Sequence, residues 1–218
     1  SNRQRLKRDS KRRSTGSGAR APGNSLDLVP KHGRPLMVTD YRILVQARMS
    51  SSRFPGKVLA ELAGRPLIDH VLDRVCEFAS PTSVVLATSE EKSDDVLEHH
   101  VKQQHGISVF RGPLHNVLLR FQECLSCFPC EWFVRLSGDS PFIDPELIAL
   151  MLDSVEEDDQ LVSNVVNRTF PKGQSVELVR TDTFQALAVD SLTAYDLEHV
   201  TSHYYQHPYR YQIRSVTA

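Results

Sequence analysis

The chain has 218 residues, of which 40% are hydrophobic, so it is long enough to bury the core of one globular domain. No apolar run approaches the roughly 20 residues that a membrane-spanning helix needs, so no membrane partner is expected. The formal net charge of -1 is unevenly distributed, because residues 1–20 carry +7 and the remaining residues carry -8.

The first 40 residues are rich in Ser, Gly, Arg and Pro and show almost no apolar periodicity. Such a composition buries too little apolar surface to offset the entropy lost on ordering. It predicts a disordered basic tail over residues 1–40, followed by one domain over residues 41–218. We interpret the tail as a solvated extension and do not expect nucleic acid as a partner. Four cysteines without an apolar signal segment predict reduced thiols and a cytoplasmic location.

Apolar strands and amphipathic helices alternate after residue 41. The predicted strands cover residues 42–47, 83–88, 107–110, 132–136, 161–166, 175–180 and 209–216. One predicted helix begins at residue 66. The others cover residues 93–105, 115–124, 145–155, 182–188 and 194–206. Val96, Leu97 and Val101 are expected to face inward, and Gly106 to end its helix. This alternation predicts an α/β protein with a three-layer, Rossmann-like and mostly parallel sheet.

Three cations lie in the loop that follows the first predicted strand. Arg48, Arg53 and Lys57 are accompanied by three serines and by a Pro-Gly turn at Gly56. In open α/β sheets, ligands bind at the carboxyl ends of the strands. Guanidinium groups pair with phosphate oxygens, an ammonium supplies a point charge, and glycine permits close approach of the backbone. The loop therefore predicts a polyphosphate site, with a merely solvated loop as the alternative.

A second small polar loop follows the predicted strand over residues 132–136. In it, Asp139 comes directly after Gly138. A carboxylate at such a strand end can hold Mg²⁺, which prefers one or two carboxylates together with substrate phosphates. A simple turn is the alternative, because Gly-Asp-Ser-Pro also favours turns. Together with the cationic loop, Asp139 makes phosphate and metal chemistry the leading interpretation.

Four blocks of sequence, in order along the chain, resemble the sugar-acid cytidylyltransferases, and in particular their spore-coat-polysaccharide type. The blocks are QARMSSSRFPGK (46–57) with LAGRPL (62–67), LSGDSP (136–141) with IDPELI (143–148), FPKG (170–173) with VE (176–177), and EHVT (198–201). The similarity extends over about residues 42–216. It implies a nucleotidyltransferase of the glycosyltransferase-A-type α/β fold, which uses CTP and Mg²⁺ to convert a sugar acid into a CMP-sugar, for surface polysaccharide or glycan synthesis, and releases pyrophosphate.

The resemblance also implies roles for individual residues. The implied nucleotide-binding residues are Gln46, Ala47, Arg48, Ser52, Arg53, Gly56, Lys57, Ser137 and Gly138. Arg48, Lys57 and Asp139 are the implied catalytic residues, and Asp139 is the implied metal ligand. Gln46 and Ala47 are expected near the base and the ribose.

Glu177, Glu198 and His199 are the residues that the resemblance implies for the sugar site. Glu177 has the alternatives of capping a helix or pairing with an arginine. Glu198 and His199 have the alternative of a contact between subunits, which leaves a homodimer open. The identity of the sugar and the selectivity for cytosine are not fixed by any of these motifs.

Two features depart from the family pattern. Family members commonly carry an acid two residues before the equivalent of Glu177, where this chain has Ser175. They also usually continue into a strand with a further Asp, whereas this sequence ends at Ala218. These departures keep open the alternative of a catalytically degenerate nucleotide-binding protein. A glycosyltransferase of the same fold is a separate alternative. The latter usually has an Asp-x-Asp motif, which this chain lacks; Asp94-Asp95 is a pair of adjacent residues on a predicted helix.

Two further groups have the composition of metal ligands. The first is Cys124, Cys127 and Cys130, and the second is His199, His203 and His207 at helical spacing. The cysteines offer only three thiols, and apolar residues lie between them, so thiols without a metal are favoured. Tyrosines next to the histidines favour a packed helix or a subunit contact.

Overall fold

Nine strands are present in the residues that the computed structural model describes, 34–51 and 54–218. They are β1 (Tyr41–Gln46), β2 (Glu61–Leu62), β3 (Arg65–Pro66), β4 (Val84–Ser89), β5 (Ser108–Gly112), β6 (Trp132–Ser137), β7 (Leu161–Ser163), β8 (Glu177–Arg180) and β9 (Ile213–Ser215). Seven strands form one sheet in the order β5-β4-β1-β6-β8-β7-β9. The other two, β2 and β3, form a small antiparallel hairpin.

Seven α-helices connect or flank these strands in the same described ranges. They are α1 (Leu67–Phe78), α2 (Asp95–His105), α3 (Val117–Cys127), α4 (Pro145–Asp153), α5 (Thr181–Gln185), α6 (Ala194–His199) and α7 (Ser202–Gln206). The sequence signals for two helix ends are confirmed. Gly106 ends α2 in the left-handed conformation, and the Asp144 side chain accepts the hydrogen bond of the Glu146 N–H at the start of α4.

The sheet is mostly parallel, as predicted. β5, β4, β1 and β6 run parallel to one another, and β9 runs parallel to β7. β8 is the exception, because it pairs antiparallel with both of its neighbours, β6 and β7. The apolar sequence of β8 predicts a strand but carries no information on its direction.

Helices cover both faces of the sheet and give the predicted three layers. On β1, Ile43 and Val45 pack into one apolar core with residues of α1 and α4. Leu44, which points the opposite way, packs into a second core with Phe121 of α3 and Tyr204 of α7. Both cores are buried between the sheet and its helices, so polar loops are accommodated at the ends of the central strands.

Two predictions about helices are wrong in detail. Val96, expected to face inward, is 53% exposed, whereas Leu97 and Val101 are buried as predicted. The single helix predicted over residues 194–206 is interrupted at Val200, which has φ 53° and ψ -60° and separates α6 from α7. A β-branched residue at positive φ is strained. The interruption turns the Thr201 hydroxyl toward the Glu177 carboxylate, at 2.8 Å.

The chain contacts the domain body before residue 41. The Leu36 N–H donates to the Val155 carbonyl at 2.9 Å, and Pro35 bridges Glu156. Residues 1–33, which hold most of the predicted basic tail, lie outside the described residues. None of the helices in the described ranges combines the length and apolar character that crossing a membrane requires.

Candidate active site

The two polar loops identified in the sequence meet at one edge of the sheet. β1 and β6 are parallel neighbours, and their registered partners at the carboxyl ends are Gln46 and Ser137. The Gly138 N–H continues the ladder by donating to the Gln46 carbonyl at 2.8 Å. The cationic loop and the loop that carries Asp139 therefore lie side by side at the carboxyl ends of adjacent strands.

A cavity of about 350 Å³ opens between these loops. It is lined by Gln46, Ala47, Arg48, Ser51, Phe54, Lys57, Val58, Ser137 and Asp139. We call this cavity the strand-end cavity. It brings together all three of the residues predicted to be catalytic. Ser52 and Arg53, two of the predicted nucleotide-binding residues, lie outside the described residues.

A second cavity, of about 490 Å³, lies next to the strand-end cavity and shares Arg48 and Ser51 with it. It is lined by Arg48, Ser50, Ser51, Pro55, Leu114, His115 and Glu198. We call it the Glu198 cavity. Because Arg48 borders both cavities, its guanidinium is within reach of a ligand in either of them.

Gly56 closes the turn that positions Lys57. The Gly56 N–H donates to the Met49 carbonyl at 2.7 Å, and Gly56 has φ 74°, in the left-handed region that side chains disfavour. A short 3₁₀ turn, Lys57–Leu59, follows directly. The cation at position 57 is therefore held by a tight backbone turn rather than by a long flexible loop.

Lys57 forms an ion pair with Asp139 across the strand-end cavity. The other carboxylate oxygen of Asp139 accepts a hydrogen bond from the Ser137 hydroxyl. Burial alone raises the pKa of Asp139, but the hydrogen bonds from Lys57 and Ser137 outweigh it and lower that pKa. Asp139 is therefore held as a carboxylate, the form in which it can bind a cation.

Asp94 holds the cationic loop in place by a hydrogen bond to the backbone of Met49. It was not identified from the sequence as a site residue. Its side chain is fully buried, and its Oδ1 accepts from the Met49 N–H at 2.7 Å. Its Oδ2 accepts from the Thr88 hydroxyl at 2.8 Å and from the Ser89 N–H at 3.0 Å. An acid at the start of a helix, following Thr-Ser at a strand end, is a recognisable signal, but the contact with Met49 depends on the folded chain.

We expect the Asp94 contacts to make stability depend on acid pH. Burial alone raises the pKa of Asp94, but hydrogen bonds from Ser89, Met49 and Thr88 lower it overall. The resulting stabilisation is present above the unfolded pKa of about 3.9 and is lost as pH falls below it toward the folded pKa. Urea unfolding of the wild type and of Asp94→Asn measures this stabilisation. The pH is varied from about 3 to about 7, a range that spans the unfolded pKa of a carboxyl group. The stability difference between the two proteins should shrink at the acid end, and a constant difference would contradict the assignment.

Gly138 is packed so closely that a side chain has no room. A Cβ at this position would lie 2.7 Å from the Ala47 Cβ and 3.1 Å from the Gln46 carbonyl oxygen. We expect Gly138→Ala to lower the free energy of unfolding by about 1–3 kcal/mol, as overpacking does, and to weaken nucleotide binding. The double variant Gly138→Ala/Ala47→Gly removes the closest contact and should recover part of the loss in a denaturation cycle. No recovery would show that the Ala47 contact is unimportant.

Arg48 is oriented by Leu114 and Glu198. Its guanidinium donates to the Leu114 carbonyl at 3.3 Å and lies 3.6 Å from the Glu198 carboxylate. Arg120, fully buried, donates to the same carbonyl at 3.0 Å and to the Pro113 carbonyl. Burial and the nearby Arg48 lower the pKa of Arg120 to about 10. Arg120 thus fixes the loop that holds Arg48, a role that the sequence analysis missed.

The three predicted sugar-site residues are not brought together. Glu198 lines the Glu198 cavity, whereas the neighbouring His199 is exposed and packs on the Tyr195 ring at a centroid distance of 4.2 Å. Glu177 is only 5% exposed and forms an ion pair with Arg135, its registered partner on β6. The alternative of pairing with an arginine is the one observed for Glu177.

Arg135 connects the buried Glu177 to the strand-end cavity. Its guanidinium donates to Glu177 and also to the side-chain oxygen of Gln46 at 3.2 Å. Glu177 in turn accepts from the hydroxyls of Thr201 and Tyr205. Burial and the carboxylate of Glu177 raise the pKa of Tyr205, which keeps this hydroxyl protonated as a donor. The network orients Gln46, a predicted nucleotide-binding residue.

The two other candidate metal groups do not converge. Cys124 is buried, Cys127 is exposed, and the Cys130 sulfur lies 3.8 Å from the Thr181 hydroxyl. The interruption at Val200 separates His199 from α7, which contains His203 and ends directly before His207; the His203 and His207 rings pack together with their centroids 4.2 Å apart. None of these thiols or imidazoles belongs to a group of converging ligand atoms in the described part of the chain.

The fold and the two cavities define an α/β protein in which cations and a carboxylate lie at the same edge of the sheet. Its similarity to known proteins identifies the family. A family model described as cytidylyltransferase matches residues 42–218, and the chain belongs to this family. It is 33% identical over 186 residues to the spore coat polysaccharide biosynthesis protein SpsF of Bacillus subtilis (strain 168), covering 83% of this chain and 76% of SpsF.

Two further proteins have similar sequences or structures. A 3-deoxy-manno-octulosonate cytidylyltransferase of Anaeromyxobacter sp. (strain K) is 37% identical over 117 residues, which are 52% of this chain and 46% of that protein. The solved structure of a cytidylyltransferase from Leptospira borgpetersenii serovar Hardjo-bovis (strain JB197) matches with a TM-score of 0.77 and 27% identity, over 82% of this chain and 76% of that one. The predicted family, fold and enzyme class, a nucleotidyltransferase that uses CTP, are confirmed, and the glycosyltransferase alternative is set aside.

Proposed function

We propose that this protein activates a sugar acid with CTP, forming a CMP-sugar for polysaccharide or glycan synthesis and releasing pyrophosphate. One observation carries the proposal: Arg48, Lys57 and Asp139 line a single cavity at the carboxyl ends of β1 and β6. The names of the relatives support the choice of substrate, since one is a cytidylyltransferase for the sugar acid 3-deoxy-manno-octulosonate and another acts in spore coat polysaccharide synthesis.

The reaction requires positioning and charge neutralisation more than a protein nucleophile. A sugar hydroxyl oxygen bonds to the α-phosphorus of CTP, the bond from that phosphorus to the bridging oxygen breaks, and the hydroxyl proton passes to solvent. Pyrophosphate leaves with the bridging oxygen and its negative charge. We propose that Lys57 and Arg48, with Arg53, hold the phosphates and offset this charge. Gln46, Ala47, Ser52, Gly56, Ser137 and Gly138 complete the nucleotide site in this proposal.

The residues of the strand-end cavity fit Mg²⁺ as a cofactor. Asp139 offers a partly exposed carboxylate, and Mg²⁺ commonly takes one or two protein carboxylates with substrate phosphates as its other ligands. When bound, the ion would neutralise charge on the phosphates and on the leaving pyrophosphate. The phosphates also offer Lys57 a partner in place of Asp139, so nucleotide binding and the availability of the carboxylate are coupled.

For the sugar, we propose the Glu198 cavity, which borders the strand-end cavity at Arg48. Glu198 can accept hydrogen bonds from sugar hydroxyls, and Arg48 can pair with an acid group. Glu177 acts indirectly, by orienting Arg135 and Gln46.

His199 contributes through the exposed surface that it forms with Tyr195, which we propose as the contact of a homodimer. Mass measurement in solution tests whether the protein forms a dimer. The four free thiols suit the reducing cytoplasm, where we place the reaction.

A second candidate function is CTP binding without turnover. It is favoured by Ser175, which stands where relatives commonly have an acid and accepts a hydrogen bond from Arg168 at 3.2 Å. This candidate predicts that CTP binds normally but that no pyrophosphate forms with any sugar acid.

Pyrophosphate release separates the two candidates. The protein is incubated with CTP, Mg²⁺ and, in turn, each member of a panel of keto sugar acids. Each acid in the panel has about eight or nine carbons and is similar in size to 3-deoxy-manno-octulosonate. We expect release that requires both CTP and one of the sugar acids. Bound CTP without release across the whole panel would overturn the proposed activity and favour the second candidate.

A further inference from the structure

Three side chains from α1 and α2 converge on one point outside both cavities described above. They are Asp69 on α1 and His100 and His105 on α2, and we call them the α1–α2 cluster. The Nε2 atoms of His100 and His105 lie 2.7 Å and 2.8 Å from the same oxygen of Asp69, its Oδ1. The three potential ligand atoms all lie within 4.8 Å of one another. Neither the CTP chemistry nor the sequence motifs assign a role to this cluster.

The cluster is largely shielded from solvent. The side chains of Asp69 and His105 are each 9% exposed, and that of His100 is 23% exposed. Burying a carboxylate is costly unless it is paired or bound to a metal, and here two imidazoles face the same oxygen of Asp69.

A second carboxylate lies behind His105. Asp73, one helical turn after Asp69, places its Oδ1 at 3.6 Å from the Nδ1 of His105. The other oxygen of Asp73 accepts from Arg65 at 2.6 Å, which holds the carboxylate in place. Metal-binding imidazoles typically direct their second ring nitrogen at such a carboxylate, which fixes the tautomer. A cation on Nε2 puts the hydrogen of His105 on Nδ1, facing Asp73.

The residue types select the class of cation. Two imidazole nitrogens and one carboxylate oxygen are typical ligands of Zn²⁺, whereas Mg²⁺ and Ca²⁺ prefer oxygen ligands alone. Zn–N bonds of about 2.0–2.1 Å in a tetrahedral site put ligand atoms roughly 3.3 Å apart, so each imidazole has to withdraw from Asp69 by about 0.5 Å. The two Nε2 atoms, which lie within 4.8 Å of each other, have to take up the same spacing.

We propose that the α1–α2 cluster is a zinc-binding site that joins α1 to α2, with Asp69, His100 and His105 as ligands and Asp73 as the supporting carboxylate. The site does not depend on the proposed reaction with CTP. Its two helices come from different segments of the chain, so the cation links residues that are otherwise held together only by packing and hydrogen bonds.

Zinc titration of the full chain, free of any histidine tag and stripped of metal with a chelator, tests the site. We expect equilibrium dialysis with ZnCl₂ and elemental analysis to give one zinc per chain. The melting temperature should rise by about 5–10 °C at a hundredfold excess over the dissociation constant. His100→Gln should weaken zinc binding at least tenfold, whereas His99→Gln, at an exposed neighbour on the same helix, should leave it unchanged. Asp73→Asn should weaken it by about 10–100-fold.

Circular dichroism of each variant without metal establishes that it is folded. If His100→Gln does not fold, Asp69→Asn takes its place, because it preserves the side-chain shape and removes the charge. Zinc binding that is equal in the wild type, His100→Gln and Asp69→Asn would overturn the proposal and indicate scattered surface sites. An absence of saturable binding to the wild type would also overturn it, and would leave the cluster as a hydrogen-bonded contact between two helices.

Discussion

Replacing Asp139 with Asn is expected to lower kcat/KM for CTP-dependent pyrophosphate release by a factor on the order of 10²–10³, as does the loss of one group that stabilises transition-state charge. The substitution keeps the shape of the side chain and removes the charge that would hold Mg²⁺. It also removes the ion pair between Lys57 and Asp139, so the phosphates of CTP no longer compete with a carboxylate for the Lys57 ammonium group. The loss should therefore appear in kcat, with the affinity for CTP retained or increased.

Asp144→Asn is the matched control for Asp139→Asn. Asp144 lies in the same loop, but its side chain caps α4, and Asn caps helices about as well as Asp. Steady-state kinetics and CTP titration of both variants measure the comparison. Full activity of Asp139→Asn, or an equal loss in both variants, would contradict the assignment of Asp139 to the reaction.

Replacing Glu177 with Ala is expected to lower the free energy of unfolding by about 3 kcal/mol, the low end of the range for breaking a buried ion pair, because Arg135, whose side chain is 23% exposed, loses its partner. Arg135 also holds Gln46, so CTP binding should weaken as well. Urea unfolding measures the first effect and CTP titration the second. Glu123→Ala, at an exposed acid on α3, is the control and should change stability by no more than about 0.5 kcal/mol.

A double variant separates the buried charge from the lost packing. Arg135→Met/Glu177→Leu removes both charges and fills the site with apolar side chains, which is often neutral or stabilising for a buried pair. We expect it to recover part of the stability lost in Glu177→Ala, because the Thr201 and Tyr205 hydroxyls still lack their acceptor, and not to restore the orientation of Gln46. If the double variant is as unstable as the single one, the ion pair is not the source of the effect.

The elements of the fold that depend on neighbours in sequence were predictable. The apolar run at Ile43–Val45 gave β1, and Gly106 and Asp144 marked helix ends because their backbone and capping preferences act locally. Val96 was placed inward because the apolar spacing alone does not distinguish it from Leu97. The interruption at Val200 was not predictable, since it is a strained conformation held by contacts with other segments.

The candidate site was predictable to a similar extent. The cationic loop and Asp139 were visible in sequence, because each directly follows an apolar strand, and parallel strands end at a common edge. The pairing of Arg135 with Glu177 depends on the antiparallel register of β6 and β8, which no local pattern determines. The support that Asp94 gives to Met49 likewise joins residues that are distant in sequence.

The central claim is that the strand-end cavity prefers CTP to other nucleotides and holds its phosphates through Lys57 and the other cations, and the thermal stabilisation by nucleotides tests both parts most directly. The melting temperature of the wild type and of Lys57→Met is measured with Mg²⁺ and each of CTP, UTP, ATP and GTP. We predict that CTP raises the wild-type value by about 5–10 °C at a hundredfold excess over its dissociation constant, and clearly more than the other nucleotides. Lys57→Met should lose most of this shift. An equal shift for all four nucleotides, or a full shift with CTP in Lys57→Met, would contradict the claim.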